Sequence, residues 1–450
     1  MPAAAAEILR RLSKAGHEAY IVGGCVRDSL LGREPGDWDI TTSARPEEVK
    51  GLFRRTIDTG IQHGTVTVLK DGEGYEVTTY RLDGAYEDGR HPVSVAFTRS
   101  LTEDLKRRDF TINAMAYNEE EGLVDAFDGI GDLKQGVIRC VGEASERFCE
   151  DALRILRAVR FSAQLGFVIE EDTLRAVEEL APSLARISRE RIQVEFNKLL
   201  VSANPGYFRL LYETGITRVL MPEFDVLMDL PQNNPFHCYT VGEHTLRAVE
   251  EVPAVLALRL TMLLHDVAKG WTGTVDEAGC SHFYGHAAQG AAWAERFLRG
   301  LKYDNETTAR VKALVRWHDT GFVPGKKSVR RLMSKMGTDL FADFLQVCRA
   351  DTMAKSEYAK EKILPLLAQT ETLAEEILAQ QECLTLKQLA VGGSDLIAAG
   401  MKPGPQMGRE LSRLLELVLE DPQRNTRDYL LGQICAEGTE LETGQKRGKE

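Results

Sequence analysis

Asp37 and Asp39, in Gly36-Asp37-Trp38-Asp39-Ile40-Thr41-Thr42, are two carboxylates one residue apart. On an extended strand, residues i and i+2 project from one face, which predicts that both acids point into one pocket. Two like charges held that close require a cation between them. Magnesium takes hard oxygen ligands and is usually held by one or two carboxylates plus a substrate's phosphates, so the pair suits a nucleoside triphosphate. Upstream, the run Tyr20-Ile21-Val22 ends in Gly23-Gly24, where backbone amides can approach a phosphate with no side chain in the way. A D-x-D standing alone reads first as a solvated surface pair; the glycines and the later motifs favour chemistry. Glu76, on the alternating run Tyr75 to Tyr80, is a candidate third carboxylate or a surface glutamate.

Arg107-Arg108-Asp109-Phe110-Thr111-Ile112-Asn113-Ala114 offers two forked donors for phosphate oxygens and an acid able to accept from a sugar hydroxyl. Glu150-Asp151-x-x-Arg154-x-x-Arg157 reads as a helix in which i and i+3 share a face, with an intrahelical salt bridge as the plain alternative. Cytosine and adenine each present an amino donor beside a ring-nitrogen acceptor on the Watson–Crick edge. One carboxylate and one guanidinium, Asp151 and Arg154, can pair with either base, whereas guanine and uracil meet mismatched groups and are rejected.

These side chains need a scaffold, and the chain is long enough to supply several. Its 450 residues, 43% hydrophobic and 28% charged, describe an ordinary globular protein of two to four domains. A net charge of -12 excludes indiscriminate nucleic-acid binding, so any RNA contact is local. The eight cysteines form no C-x-x-C pair, which fits reduced thiols in a cytoplasmic protein. The first residues have no signal-peptide pattern, and the apolar stretch 252–268 carries Arg259, His265 and Asp266, so it reads as a buried helix and no membrane association is expected. Strand-like runs at 65–69 and 75–80 lie in an α/β region of residues 1–140; from about Ser145 the pattern is helical. The predicted class is α+β: a mixed-sheet head, then an all-α remainder. Residues 204–234 are rich in turn residues.

In this order, Gly23-Gly24-x-x-Arg27-Asp28 with Asp37-x-Asp39, then Arg107-Arg108-Asp109-Phe110-Thr111-Ile112-Asn113-Ala114, then Glu150-Asp151-x-x-Arg154, resemble the bacterial class II tRNA nucleotidyltransferase and poly(A) polymerase family. The resemblance is dense from residue 17 to about 200. It implies a polymerase-beta-like nucleotidyltransferase head at 1–140, a neck with a base template at 141–205, and helical body and tail domains, the tail at 356–450, that hold the tRNA acceptor end. It implies that Asp37 and Asp39 bind Mg2+ and are catalytic. Gly23, Gly24, Arg27, Arg107, Arg108, Asp109, Asn113, Asp151, Arg154 and Arg157 then bind nucleotide, CTP or ATP, and the partner is a tRNA 3′ end. The segment 83–92 is similar to the flexible loop of members that add all of CCA, although A-adding members keep it too. Poly(A) polymerase is the rival reading. Against it stand Thr59 to Val68, similar to the tRNA-specific members, and an end without a strongly basic extension.

Six of the nine histidines, His237, His244, His265, His282, His286 and His318, fall in one helical segment. Scattered helix histidines usually pack or face solvent, but His265-Asp266 with His244 before it and Asp351 after it resembles an HD-domain metal site at 230–355. His286 and His318 complete a dinuclear set, with Asp319 an outlying candidate, and imidazole suits a divalent transition metal. Such a domain implies phosphohydrolase chemistry on a phosphomonoester or 2′,3′-cyclic phosphate, or a nucleotide-binding regulator without hydrolysis. Lys326-Lys327-Ser328-Val329-Arg330-Arg331, with Lys335 and the neck arginines Arg157, Arg160, Arg189 and Arg191, is either a tRNA-phosphate contact or a solvated face.

Overall fold

The computed structural model describes residues 1–83 and 95–434. The chain divides into two compact units, one of residues 1–228 with 297–303 and one of 229–296 with 304 onward.

The first unit opens with the helix Ala3–Lys14, which buries Ala5, Ile8, Leu9 and Leu12, a spacing that lays one apolar stripe against the sheet. Nine short strands follow: β1 (Ala19–Val22), β2 (Ile40–Thr42), β3 (Thr56–Gly60), β4 (Thr65–Lys70), β5 (Glu73–Thr79), β6 (Arg81–Asp83), β7 (Val95–Phe97), β8 (Met115–Asn118) and β9 (Gly122–Asp125). Seven make one mixed sheet in the order β3-β4-β5-β2-β1-β8-β9, and β6 pairs with β7 apart from it. The expected runs at 65–69 and 75–80 are β4 and β5, antiparallel partners. The β2–β5 pair is parallel, with Ile40 opposite Val77. Strand β1 is buried along its whole length, and its Tyr20 and Val22 pack with Tyr80, Leu105, Ala114, Ala116 and Val141. Burying both faces of a central strand explains why Ala19–Val22 is an unbroken apolar run instead of an alternating one.

Beyond the sheet the unit is helical, as expected, with one exception: Val137–Ile138 pairs in parallel with Val168–Ile169. Two residues per strand leave no periodicity to read. The helix Leu153–Leu165 packs on Arg189–Leu200. The turn-rich stretch holds the short helices Phe208–Glu213, Ile216–Leu220 and Pro222–Met228. Phe208 is the reason they stay put, since its ring meets Phe196 and Phe224 edge-on at 5.7 and 5.1 Å.

Among its described residues the second unit is helical apart from the hairpin Thr274–Val275 with Ser281–His282. Within the stretch 252–268, the helix Leu256–Leu264 buries every residue from Leu258 to Leu264. Among the described residues no helix is long and apolar enough to cross a membrane. Nearer the C-terminus a separate cluster of Val391, Leu396, Leu414, Val418 and Leu430 is buried around the helix Pro405–Glu420.

Candidate functional site

Asp37 and Asp39 lie in the extended segment leading into β2 and not on the strand itself, which begins at Ile40. The expected strand is shorter than the motif because pairing with β1 ends where Val22 N–H donates to the Asp39 carbonyl at 3.0 Å. Continuing the parallel β2–β5 register one residue back sets Asp39 beside Glu76. Ile40 and Val77 are buried on one face, so Asp39 and Glu76 belong to the other. The carboxyl of Asp39 is pushed up to about 6 by burial and by Asp37, with Arg108 pulling it down and Glu76 adding to the rise. A half-buried acid repelled by two others is a place for a divalent cation, and hard oxygen donors of this kind fit magnesium.

Facing the acids is a guanidinium seated on a glycine. Gly23 has φ +82°, and a Cβ there would lie 2.8 Å from Arg108 Nη1, so no other residue fits without moving the arginine. Arg108 Nε is buried without a hydrogen-bond partner. Gly24 has no comparable crowding; a Cβ there would meet Arg27 Nη2 at an ordinary 3.7 Å. Arg107 and Arg108 converge on Asp104, a wholly buried carboxylate that the motif reading passed over. Its position three and four residues before them on one helical turn was a readable signal.

Arg27, Asn113, Asp109 and Arg157 form a continuous chain. Arg27 forks onto Asp28 at 2.9 Å through both Nε and Nη2 and donates to Asn113 Oδ1 at 2.6 Å. Asn113 donates to Asp109 Oδ1 at 3.1 Å, and Arg157 reaches Asp109 Oδ2 at 2.8 and 2.6 Å. Burial opposes ionisation of Asp109, yet Arg157 and Asn113 hold it well below the usual carboxylate range. Both its oxygens are therefore already engaged, and a sugar hydroxyl would reach only a remaining lone pair.

Asp151 and Arg154 do not share one helix as expected. The helix Ala144–Glu150 stops, Asp151 is extended at φ -142°, and a new helix begins at Leu153. Asp151 breaks the helix because its Oδ1 accepts from the Leu153 amide at 3.0 Å, satisfying one of that helix's free donors. Arg191 clamps the same carboxylate at 3.2 and 2.6 Å. Arg154 donates to Glu150 at 2.6 Å, to the Arg147 carbonyl at 3.1 Å and to the Arg107 carbonyl at 2.8 Å. The ion pair that forms, Glu150 with Arg154, is i,i+4 and bridges two helices, so it is not the intrahelical i,i+3 bridge expected as the plain alternative; it fixes Arg154 in place.

In the second unit six side chains from five helical segments meet: His244, His265, Asp266, His286, His318 and Asp351, all at most 7% exposed. Each histidine turns Nδ1 to a backbone carbonyl: Ala354 at 3.1 Å, and Met262, Phe283 and Val315 each at 2.7 Å. Only a protonated Nδ1 can donate there, which leaves each Nε2 as a lone pair turned inward. The Nε2 atoms of His244 and His265 are 3.3 Å apart, and those of His286 and His318 are 3.1 Å apart. Lone pairs that close repel unless a proton or metal lies between. Asp266 sits in the middle, with Oδ2 3.2 Å from His265 and Oδ1 3.4 Å from His286. Asp351 Oδ1 stands 3.0 Å from His244. Two sets of ligating atoms sharing Asp266 could therefore hold metal. Burial works against both acids being ionised, but the ammonium groups beside them, Lys269 for Asp266 and Lys355 for Asp351, hold them well below the usual range. Neither lysine figured in the motif, although their i+3 and i+4 spacing from the acids is helical. Asp319 is exposed, His282 pairs with Asp276 on the hairpin, and His237 packs its ring on His244 at 5.3 Å with burial pushing it down to about 3.

Of the basic cluster on the helix Lys326–Met336, Arg330 is turned inward while Lys327 and Lys335 are exposed. Arg330, 5% exposed, donates to the Leu419 and Glu420 carbonyls at 2.8 and 3.0 Å and to Glu382 at 2.9 Å. Arg331 meets Glu416 at 3.0 Å and Lys326 meets Glu376 at 2.8 Å. The expectation of a phosphate contact fails for Arg330 because the C-terminal carbonyls of the helix Pro405–Glu420 claim its donors. All of the loop 83–92 except Asp83 lies outside the described residues.

The mixed sheet with its acid face, followed by a helical remainder, is the layout of a nucleotidyltransferase-type head joined to a helical body, and sequence comparison bears on both. Residues 19–139 match the poly A polymerase head domain, 166–228 match the RNA and SrmB- binding site of polymerase A, and 283–434 match tRNA nucleotidyltransferase domain 2. CCA-adding enzymes of Limosilactobacillus fermentum and Latilactobacillus sakei are 38% and 40% identical, covering 94% and 95% of this chain and 94% and 96% of their own. The crystal structure of the Bacillus stearothermophilus CCA-adding enzyme in complex with CTP superposes with a TM-score of 0.75 at 32% identity, covering 99% of this chain and all of that one. The chain belongs to the CCA-adding enzyme family.

Proposed function

We propose that the head adds CCA to the 3′ end of tRNA from CTP and ATP, without a nucleic-acid template, releasing pyrophosphate. The observation that carries this is the acid face: Asp37, Asp39 and Glu76 together, with Asp39 pushed up to about 6 and an unpartnered Arg108 Nε nearby. Asp37 and Asp39, with Glu76, would hold Mg2+. Bound there, Mg2+ would supply Lewis-acid activation for the attacking 3′-hydroxyl and charge neutralisation for the triphosphate. Arg107 and Arg108 offer the triphosphate their guanidinium donors, and Gly23 leaves room beside Arg108. Asp151 and Arg154, each fixed by partners, present one acceptor and one donor to the base edge, which favours C and A over G and U. The CTP complex of the Bacillus stearothermophilus relative supports the choice of nucleotide.

The test is product sequencing. Purified protein with magnesium, CTP and ATP is offered tRNAs lacking CCA, tRNAs ending in CC, and an unrelated RNA, with Asp39→Ala as the control. Full CCA on the first tRNA supports the proposal. Addition only to the CC end assigns an A-adding specialist, and long A tails on the unrelated RNA assign a poly(A) polymerase.

A second activity is favoured by the four inward lone pairs. We propose that the centre of His244, His265, Asp266, His286, His318 and Asp351 holds one or two divalent transition metals and hydrolyses phosphate esters at RNA 3′ ends or on nucleotides. Metal there supplies an activated water; the histidine carbonyl bonds fix the ligand orientation. Metal content after loading with manganese or nickel, and release of phosphate from 3′-phosphorylated and 2′,3′-cyclic ends, test it against His265→Ala. Bound metal with no hydrolysis assigns a nucleotide-binding regulator.

A further inference from the structure

Asp104 lies in the helix Leu101–Lys106, is 0% exposed, and carries no part of the proposed chemistry above. Its oxygens gather donors from three directions. Oδ1 receives Arg107 Nε at 2.9 Å and the Arg81 amide at 3.3 Å, and Arg107 Nη2 also lies 2.8 Å from it. Oδ2 receives the Thr41 hydroxyl at 2.9 Å and stands 3.9 Å from Arg108 Nη2. Thr41 is two residues beyond Asp39 on the same extended run, so it shares the face of the acids. One buried carboxylate thereby ties the acid-bearing segment to both arginines.

From this we infer that Asp104 is a positioning residue for nucleotide transfer: it holds Arg107 and Arg108 at a set distance from Asp39, so that their donors meet the triphosphate of the incoming nucleotide. Arg107 and Arg108 repel each other, and burial works against Arg108 carrying its charge. Without the Asp104 charge, both guanidiniums would turn toward water. Arg108 would also lose the contact opposing its seat on Gly23. The inference rests on the reading of Arg107 and Arg108 as triphosphate donors.

Asp104→Asn keeps the side-chain shape but sets an amide N–H among arginine N–H groups. It is expected to raise KM for CTP and ATP about tenfold with a smaller change in kcat, as for loss of charge-assisted forks. Affinity for CMP, which has the base and ribose but no triphosphate, should stay within about twofold. A purely structural role would move both affinities together. On a background carrying both Arg107→Met and Arg108→Met, Asp104→Asn should add little, because both partners it acts through are gone. Thr41→Val, which removes one contact to Asp104, gives the same pattern in weaker form and serves if Asp104→Asn does not fold. Equal loss of CTP and CMP binding, or no loss of either, while Arg107→Met and Arg108→Met weaken CTP, overturns the inference and leaves the donors in place. If neither arginine variant weakens CTP binding, the reading of the donors falls, and this inference with it.

Discussion

The acid face of the head and the histidine centre of the second unit both concentrate charge, but they balance it differently. Asp37 and Glu76 are exposed and Asp39 is half-buried among them, repelled and raised. In the histidine centre both acids are buried and each has a lysine of its own, Lys269 at 2.7 Å from Asp266 and Lys355 at 2.5 Å from Asp351. The first arrangement depends on a cation and a substrate arriving from solvent. In the second the lysines offset the acids from within, while the inward Nε2 pairs at 3.3 and 3.1 Å still call for a metal or proton between them. An open, uncompensated site suits a nucleotide that comes and goes; a buried, compensated one suits a metal that stays.

The sharpest way to break this contrast is to remove one acid from each. Asp39→Ala should cut CTP incorporation by about a thousandfold or more while metal bound at the histidine centre, read by elemental analysis, does not change. His265→Ala should do the reverse, lowering affinity for manganese or nickel by about a hundredfold and sparing CTP incorporation. Either variant disabling both activities would mean that the two regions do not work separately.

Gly23→Ala probes the seat of Arg108. A side chain at φ +82° costs about 1–2 kcal/mol, and the clash displaces the guanidinium, so KM for CTP should rise about tenfold while the melting temperature falls by a few degrees.

The acid face also has a proton signature. A carboxyl whose folded pKa is raised above its unfolded value binds its proton more readily in the native state, so the protein loses stability as pH rises toward about 6. With chelator present, the difference in melting temperature between the parent and Asp39→Asn should widen against the parent from about pH 5 to about pH 7, and magnesium should close it. Asp109, Asp266 and Asp351 run the other way. Their folded values are depressed, so their contribution is present above the ordinary carboxylate range and is lost as pH falls through the folded values. A parent and Asp39→Asn with parallel curves would show that Asp39 is not crowded by the other acids. The smallest effect is expected for Arg331→Glu. Its partner Glu416 is exposed, so stability should change by no more than about 1 kcal/mol and tRNA affinity should hold.

The sequence was most legible where one residue type and one spacing carried a single meaning. The strands at 65–69 and 75–80 and the switch to helix after 140 follow from periodicity, the acid pair from side-chain chemistry, and the histidine set from its resemblance to an HD-domain site. Glu76 could be placed on a strand but not beside Asp39, because that neighbourhood depends on β5 pairing in parallel with β2 across more than thirty intervening residues. Asp151 and Arg154 looked like one helical face, since spacing cannot reveal that an aspartate will cap the next helix instead of continuing its own. The basic run at 326–331 read as either an RNA contact or a solvated face, since a string of cations does not disclose that backbone carbonyls will claim Arg330.

By itself the sequence determined which groups could act: the acids, the forked arginines, the clustered imidazoles and the paired glycines. The tertiary structure alone decided which of them stand free and which are already held. That division has a physical cause. Charge type is a property of a residue, while burial, repulsion and hydrogen-bond saturation belong to its neighbours, and those neighbours are brought together from distant parts of the chain only when the sheet and helices pack.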